Sequence, residues 1–284
     1  MMTNRLKSIV MLCILPALAG CSTIERLAIP KSDLISTELL ESGSQSQISH
    51  QAWDAFLQNY TELGDDNIVR VNYAAVSEEN KQKLETYIQQ LSGQDTSLLT
   101  RDAQLAYWIN LYNALTVSVI LDHYPVKSIR NIRNGLTDFG PWNEKRVEVN
   151  GRELSLHDIE NGIVRPLWPD EPRSHYALNC AAIGCPNLAQ TAYTADNIQQ
   201  RLQEQAVLYV NSPRGVSLAA DGGLTISKIY SWYRGDFGGS ETSTISHLRE
   251  YAAPDLKQAL GQSTKIDRYI YDWSLNDTST NVQP

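Results

Sequence analysis

The residues of this 284-residue chain best suited to chemistry lie in one stretch, Arg173-Ser174-His175-Tyr176-Ala177-Leu178-Asn179-Cys180-Ala181-Ala182-Ile183-Gly184-Cys185-Pro186. Two thiols, an imidazole and an amide in so short a run permit three kinds of chemistry. The first is a disulfide or redox pair. Fully extended, the Cα atoms of Cys180 and Cys185 would stand about 16 Å apart, whereas a disulfide needs about 5.5 Å. Residues 181–184 must therefore fold back, which their small side chains and Gly184 allow. A closed loop of about six residues would contribute about 2 kcal/mol in the chain-entropy description.

The second kind is nucleophilic. Pro186 suits the first position of a helix, which would place Cys185 at the N-cap, where the helix dipole favours the thiolate. A strand over 175–180 would put His175, Ala177 and Asn179 on one face and Cys180 on the other. In that arrangement Cys185 attacks an amide or ester carbonyl, His175 shuttles the proton, and Asn113 or Asn179 orients the imidazole. The third kind is a metal site. His175, Cys180 and Cys185 supply three ligands, but a structural zinc takes four and the spacing fits no common ribbon; neither a metal nor a cofactor is expected. Between disulfide and nucleophile the residues leave the choice open.

Around this stretch the chain must supply elements that position it. Trp53, Phe56, Leu57 and Tyr60 recur at helical spacing and predict a helix over 49–61. Val69, Val71 and Tyr73 alternate as a half-buried strand, and Leu84, Tyr87, Ile88 and Leu91 share one face of a helix that stops at Gly93. Residues 105–121, LAYWINLYNALTVSVIL, are apolar nearly all round and read as a helix buried at the centre of the domain. Asn110 and Asn113 lie three apart within it, where each buried amide needs partners, either as clamps on neighbouring loops or as part of a site.

Asn150-Gly151 between Val147, Val149 and Leu154 is a two-residue hairpin signal. Ser155 then opens a short helix that ends before Pro166, with Asp158 at its third position. A second hairpin is expected around Asp221-Gly222-Gly223. Helices over 194–211 and 244–251 and a strand over 266–273 follow. The mixture, without strict alternation of strand and helix, favours an α+β single domain with a buried central helix and short hairpins. His50, His123 and His247 fall near expected helix ends and His157 in a first turn, where ordinary surface roles are expected. Trp142, Trp232 and Tyr233 are candidates for lining a ligand groove. The chain has no Gly-rich phosphate loop, no zinc-protease histidine pair and no GxSxG elbow.

The N-terminus addresses the location. Arg5 and Lys7 precede the apolar run 8–18, which is broken by Pro16 and too short to span a bilayer that needs about 20 apolar residues, so residues 1–20 read as a signal peptide. The run closes on Leu18-Ala19-Gly20-Cys21, which resembles a bacterial lipobox. The resemblance implies cleavage before Cys21 and acylation there, giving a firm membrane anchor. Ser22 in the next position resembles the outer-membrane sorting pattern, so a periplasm-facing location is expected, with inner-membrane anchoring as the variant. Cys13 leaves with the signal peptide and Cys21 takes lipid, so Cys180 and Cys185 are the thiols left to the mature domain. Residues 21–48, rich in Ser, Gln and Glu, read as a tether reaching roughly 25 to 30 Å. The folded part spans 49–275, and 276–284 read as a frayed tail. Without Arg5 and Lys7, 22 basic residues face 32 acidic ones, a balance opposed to general nucleic-acid binding.

Four blocks in order, AYWINLYNALT (106–116), SLHDIENGIVRP (155–166), RSHYALNCAAIGCP (173–186) and SKIYSWYRGDF (227–237), resemble the domain-of-unknown-function 547 family. The resemblance covers roughly 49–251. It implies that Asn110, Asn113, Glu160, Arg165, Arg173, His175, Asn179, Cys185 and Asp236 occupy recurring motif positions. Similar sequences often carry histidine after the Ile-Glu pair, where this chain has Asn161. Two functional expectations follow. One is a thiol-dependent acyl-transfer or hydrolase-like domain using Cys185 and His175. The other is a non-catalytic envelope binding or assembly module, stapled by Cys180 and Cys185, whose partner is an envelope protein or glycan.

Overall fold

The computed structural model of the protein describes residues 42–133, 140–219, 222–262 and 265–279. The expected signal peptide, the expected lipidation site Cys21 and the expected tether up to residue 41 lie outside them. Helix α3 (Arg101–His123) runs through one of the two apolar clusters of the fold and packs against the elements around it. The Thr100 hydroxyl caps it by accepting from the Ala103 N–H, and every side chain from Ala103 to Val117 is buried. A helix covered on all sides can be apolar on all sides, which accounts for its composition. No helix among the described residues is long and apolar enough to cross a membrane.

Helix α2 (Glu78–Ser92) packs on α3, and α1 (Gln51–Tyr60) packs on α2, with the apolar faces expected of them, Trp53, Phe56 and Leu57 from α1 and Leu84, Tyr87, Ile88 and Leu91 from α2. Between them β1 (Thr61–Leu63) and β2 (Val69–Val71) form a short antiparallel pair. β2 is buried throughout rather than half-buried, because the Arg70 guanidinium is neutralised by Asp66 four residues before it, with bonds of 2.7 and 2.9 Å. β3 (Val147–Val149) and β4 (Arg152–Leu154) form the hairpin expected at Asn150-Gly151, both turn residues having positive φ, +50° and +73°.

Ser155 and Asp158 cap one another, but the helix that follows differs from the expectation. It runs as a π-helix over Asp158–Val164 and passes into α4 (Arg165–Leu167) through Pro166. Pro166 is tolerated because the helical register restarts at Arg165, which leaves it in a first turn where a missing N–H costs nothing.

The second half is built on α5 (Ile198–Val210) and a three-stranded sheet, in which β5 (Val216–Leu218) pairs antiparallel with β6 (Leu224–Ser227) and β6 pairs parallel with β7 (Arg268–Ile270). Short α6 (Ile229–Trp232), α7 (Glu241–Tyr251) and α8 (Pro254–Gln262) complete an α+β fold of eight α-helices and small sheets among the described residues. Two clusters of buried apolar side chains result, one around α3 and one around β6 and α7. They meet at Tyr176 and Ala177, which belong to different clusters and are adjacent in sequence.

Three further expectations are corrected. Residues 172–176 form a 3₁₀ helix (Pro172–Tyr176), not the start of a strand over 175–180, because Pro172 sets the first turn and side chains rather than a β-ladder take the following peptide groups. No helix starts at Pro186, whose carbonyl accepts from Asn179 while the Cys185 carbonyl accepts from Arg214, so neither is available to a helical ladder. The stretch 276–279, read as frayed, is ordered: Asn276 and Asp277 are buried, and Val71 exchanges backbone hydrogen bonds with Asn276 and Thr278. At the other end, Gly43 and Gln45 bond to Leu98 and Leu99, so ordered chain precedes residue 49.

Candidate functional site

Cys180 and Cys185 are joined as a disulfide, with Cα atoms 6.3 Å apart. The fold-back that this requires is made by Ala181, which takes a left-handed φ of +58°. Gly184 packs so closely that a Cβ there would stand 2.7 Å from the Asp272 backbone nitrogen. The loop has many other holds. Ile183 and Gly184 donate to the carbonyls of Ser274 and Asp272 (both 2.8 Å), and Asn276 donates to Ala181 (3.1 Å). Arg214 donates to the carbonyls of Ile183 (3.0 Å) and Cys185 (2.7 Å), and the Tyr209 hydroxyl to that of Gly184 (2.7 Å). At about 1 kcal/mol each, these bonds outweigh the about 2 kcal/mol of so short a cross-link. The phenol oxygen of Tyr271 lies 3.0 Å from each sulfur. Burial, with Tyr209 and Glu160 nearby, pushes its pKa well above the usual value, so it is an O–H donor at neutral pH.

Beside the loop, at the seam of the two apolar clusters, stands a buried polar cluster. His175 Nε2 donates to Asp236 Oδ2 at 2.8 Å, and Arg165 Nε donates to the same oxygen. Burial alone would raise the Asp236 pKa, but the His175 and Arg165 hydrogen bonds outweigh it and hold the carboxyl well below the usual carboxylate range. The imidazole stacks on Tyr233 with centroids 4.1 Å apart and leans on Phe237 at 5.4 Å. The Arg165 guanidinium also lies 4.8 Å over the Tyr233 ring and donates to Asn161 Oδ1 at 2.8 Å. Asn161 in turn reaches His157 Nδ1 at 3.2 Å.

The π-helix adds Glu160 to the cluster, where it accepts from the Tyr112 hydroxyl of α3 at 3.1 Å and lies near Tyr233. Burial and then the Glu160 charge raise both phenol pKa values well above normal, so these donors stay protonated. A π-turn widens the spacing between side chains and is a frequent device at functional sites. Here it brings Glu160, Asn161 and Arg165 to one locus. His175 Nδ1 is buried and has no hydrogen-bond partner among the described residues. With Nε2 committed to a carboxylate, this nitrogen is the ring's remaining acceptor or donor position.

The residues singled out from sequence divide between these neighbourhoods. Asn113 and Asn179 belong to the loop. Asn113 donates to the Ala177 carbonyl (2.9 Å) and accepts from the Asn179 N–H (2.8 Å), while Asn179 donates to Pro186 O and accepts from Ala181 N. Asn110 clamps Tyr193 in the same two-handed way. His175 is paired with Asp236 and not with Cys185, and Cys185 is paired with Cys180; neither asparagine touches the imidazole. Arg173 turns to Glu171 and Gln199. Of the other histidines, His123 is exposed at the end of its helix as expected, whereas His50 and His247 depart from a surface role. His50 is buried against the Tyr87 hydroxyl (2.7 Å) and His247 against that of Tyr176 (2.8 Å). Among the described residues no group of three or more His, Cys, Asp or Glu side chains is arranged to hold a metal ion.

Half-buried aromatics flank Tyr271. Trp273 touches Tyr271 (4.6 Å between centroids), Trp232 (5.6 Å) and Trp142 (5.7 Å), and Arg130 lies 5.1 Å over its ring. Two of the three aromatics expected to line a groove, Trp142 and Trp232, thus share one wall. Tyr233 is instead buried against His175. Tyr112, Arg214 and Tyr271 went unnoticed in sequence. Tyr112 sits inside an apolar helix, and nothing in the spacing of the other two connects them to the cysteines.

Residues 96–210 match the family described as Protein of unknown function, DUF547. The matched segment holds Asn113, Glu160, Arg165, His175, Asn179, Cys180 and Cys185, and it bears out the resemblance read from the first three motif blocks; the fourth block, with Asp236, lies beyond it. No curated protein and no solved structure matches the chain.

Proposed function

For a chain that carries a DUF547 region, we propose an envelope role: a lipoprotein held through Cys21 in the outer membrane, facing the periplasm, whose domain binds a glycan of the envelope without cleaving it. The observation that carries the non-catalytic reading is that the expected nucleophile is engaged elsewhere, Cys185 being joined to Cys180. A disulfide of this kind belongs to an oxidising compartment, in keeping with the signal peptide and lipobox read from sequence. The ligand surface is the wall of Trp142, Trp232, Trp273 and Tyr271, whose rings offer a broad apolar face with polar tips, as a sugar ring requires.

The test is co-sedimentation of the domain with purified peptidoglycan sacculi. Binding that survives Cys185→Ala and falls at least tenfold in Trp232→Ala supports the reading. No sedimentation, or equal sedimentation of the Trp232→Ala protein, overturns it. Loss of lipid labelling and of membrane fractionation in Cys21→Ala tests the anchor.

A second reading, thiol-dependent acyl transfer, is favoured by one observation: His175 and Asp236 already form the base and orienting group of such a site. It needs Cys185 reduced. Turnover of a p-nitrophenyl ester by the reduced domain, abolished in both Cys185→Ala and His175→Ala, would replace the binding reading with this one.

A further inference from the structure

The two sulfurs of the disulfide are not equivalent. Cys180 is partly exposed, whereas Cys185 is 1% exposed. The buried sulfur of Cys185 accepts the Cys180 backbone N–H at 3.0 Å, while the Tyr271 hydroxyl stands 3.0 Å from both sulfurs. A backbone N–H and a shared phenol O–H within reach of a buried sulfur are more than a neutral disulfide uses, since such sulfur is a weak acceptor. They are what a thiolate requires, because hydrogen bonds to an ionised acceptor are about twice as strong as neutral ones. The loop around the pair also has an independent frame. Ser274, Asp272, Asn276, Arg214 and Tyr209 hold its peptide groups whether or not the sulfurs are joined.

We infer that Cys180–Cys185 is a thiol–disulfide exchange site for a protein dithiol, with Cys180 the attacked sulfur and Cys185 the leaving thiolate. In the first step a thiolate of the partner attacks Cys180 Sγ. A bond forms between those two sulfurs, the Cys180–Cys185 bond breaks, and its electron pair leaves on Cys185, received by the Cys180 N–H and the Tyr271 O–H. In the second step the partner's other thiol, having given its proton to solvent, attacks the partner sulfur of the mixed disulfide. Cys180 leaves and takes a proton from solvent. The partner dithiol is oxidised by two electrons, and the loop disulfide is reduced to the Cys180 thiol and the Cys185 thiolate. The asymmetry follows from thiol exchange itself, in which the accessible sulfur is attacked and the better-stabilised thiolate leaves faster. This inference is independent of the glycan-binding reading and needs only the pair and its surroundings.

The test uses the folded domain with reduced glutathione as the attacking thiol at pH 7, trapping with iodoacetamide and peptide mapping. The expected product carries glutathione on Cys180 and the alkyl group on Cys185, with the far-UV circular dichroism of the domain unchanged. Tyr271→Phe is expected to slow exchange about tenfold, the effect of one lost hydrogen bond to a charged group. Should that variant fail to fold, Cys180→Ser serves instead: its Cys185 keeps both donors and is expected to alkylate with a pKa below the ordinary thiol value of about 8.5. Glutathione on Cys185, no exchange short of unfolding, or a Cys185 pKa at or above the ordinary value would each overturn the inference. Sacculus binding by the same reduced protein reports on the proposed function separately.

Discussion

Asp236→Asn keeps the shape of the side chain and removes the charge that Arg165 and His175 share. The side chains involved are almost fully enclosed, Asp236 at 7% exposure and Arg165 at 4%. Removing one partner of a buried pair typically costs about 3–5 kcal/mol, because the other charge is left uncompensated. Arg165 retains Asn161 and the face of Tyr233, which places the expected loss at the lower end, about 3 kcal/mol. Urea unfolding at pH 7, compared at equal slope, measures it. The pH dependence supplies a second check. The folded carboxyl lies below its unfolded value of about 3.9, so its stabilisation is complete above that value and is lost as pH falls toward the folded one. The gap between the wild type and Asp236→Asn should therefore be constant from pH 7 to about 5 and shrink below about 4. A loss under about 1 kcal/mol, or a gap that stays flat down to pH 3, would refute the view that this ion pair organises the cluster.

Three other outcomes are expected. Burial lowers both His50 and His247 to about 4, with Asp54 partly opposing this at His50 and His175 reinforcing it at His247. Both are neutral when folded and protonate near 6.5 when unfolded, so their contribution is present above pH 6.5 and is lost as pH falls toward 4; urea titrations of His247→Gln should show a shallower decline than the wild type over that window. Asn113→Ala leaves the Ala177 carbonyl and the Asn179 N–H buried without their partner and should cost about 2–4 kcal/mol in urea unfolding, whereas a change below about 1 kcal/mol would show that Asn113 is no clamp. Gly184→Ala would press a methyl group against Asp272 N and O, at 2.7 and 2.9 Å, and should destabilise by about 1–3 kcal/mol in thermal unfolding; an unchanged melting temperature would contradict the close approach.

Much of the architecture was legible because it rests on local rules. The hairpin at Asn150-Gly151 follows from the positive φ that its turn demands, and the apolar faces of α1 and α2 from helical period. The all-round apolarity of α3 required a central position. Local rules misled where tertiary partners intervened. The segment 175–180 has a plausible strand pattern, yet Asn113 of α3 supplies the hydrogen bonds that a neighbouring strand would have given. Residues 276–279 look polar enough to fray, yet Val71 pairs with them across the domain.

The candidate site divides along the same line. Sequence alone determined that two thiols lie five residues apart, close enough to join if the chain folded back, and that an imidazole and amides stood near them, since these depend only on residue type and spacing. Which groups touch was decided by the tertiary structure. His175 meets Asp236, 61 residues away, and both sulfurs meet Tyr271, at least 86 residues away. Contacts of that kind arise only when the cluster around α3 packs against the cluster around β6, and no periodicity within either segment encodes the register of that packing.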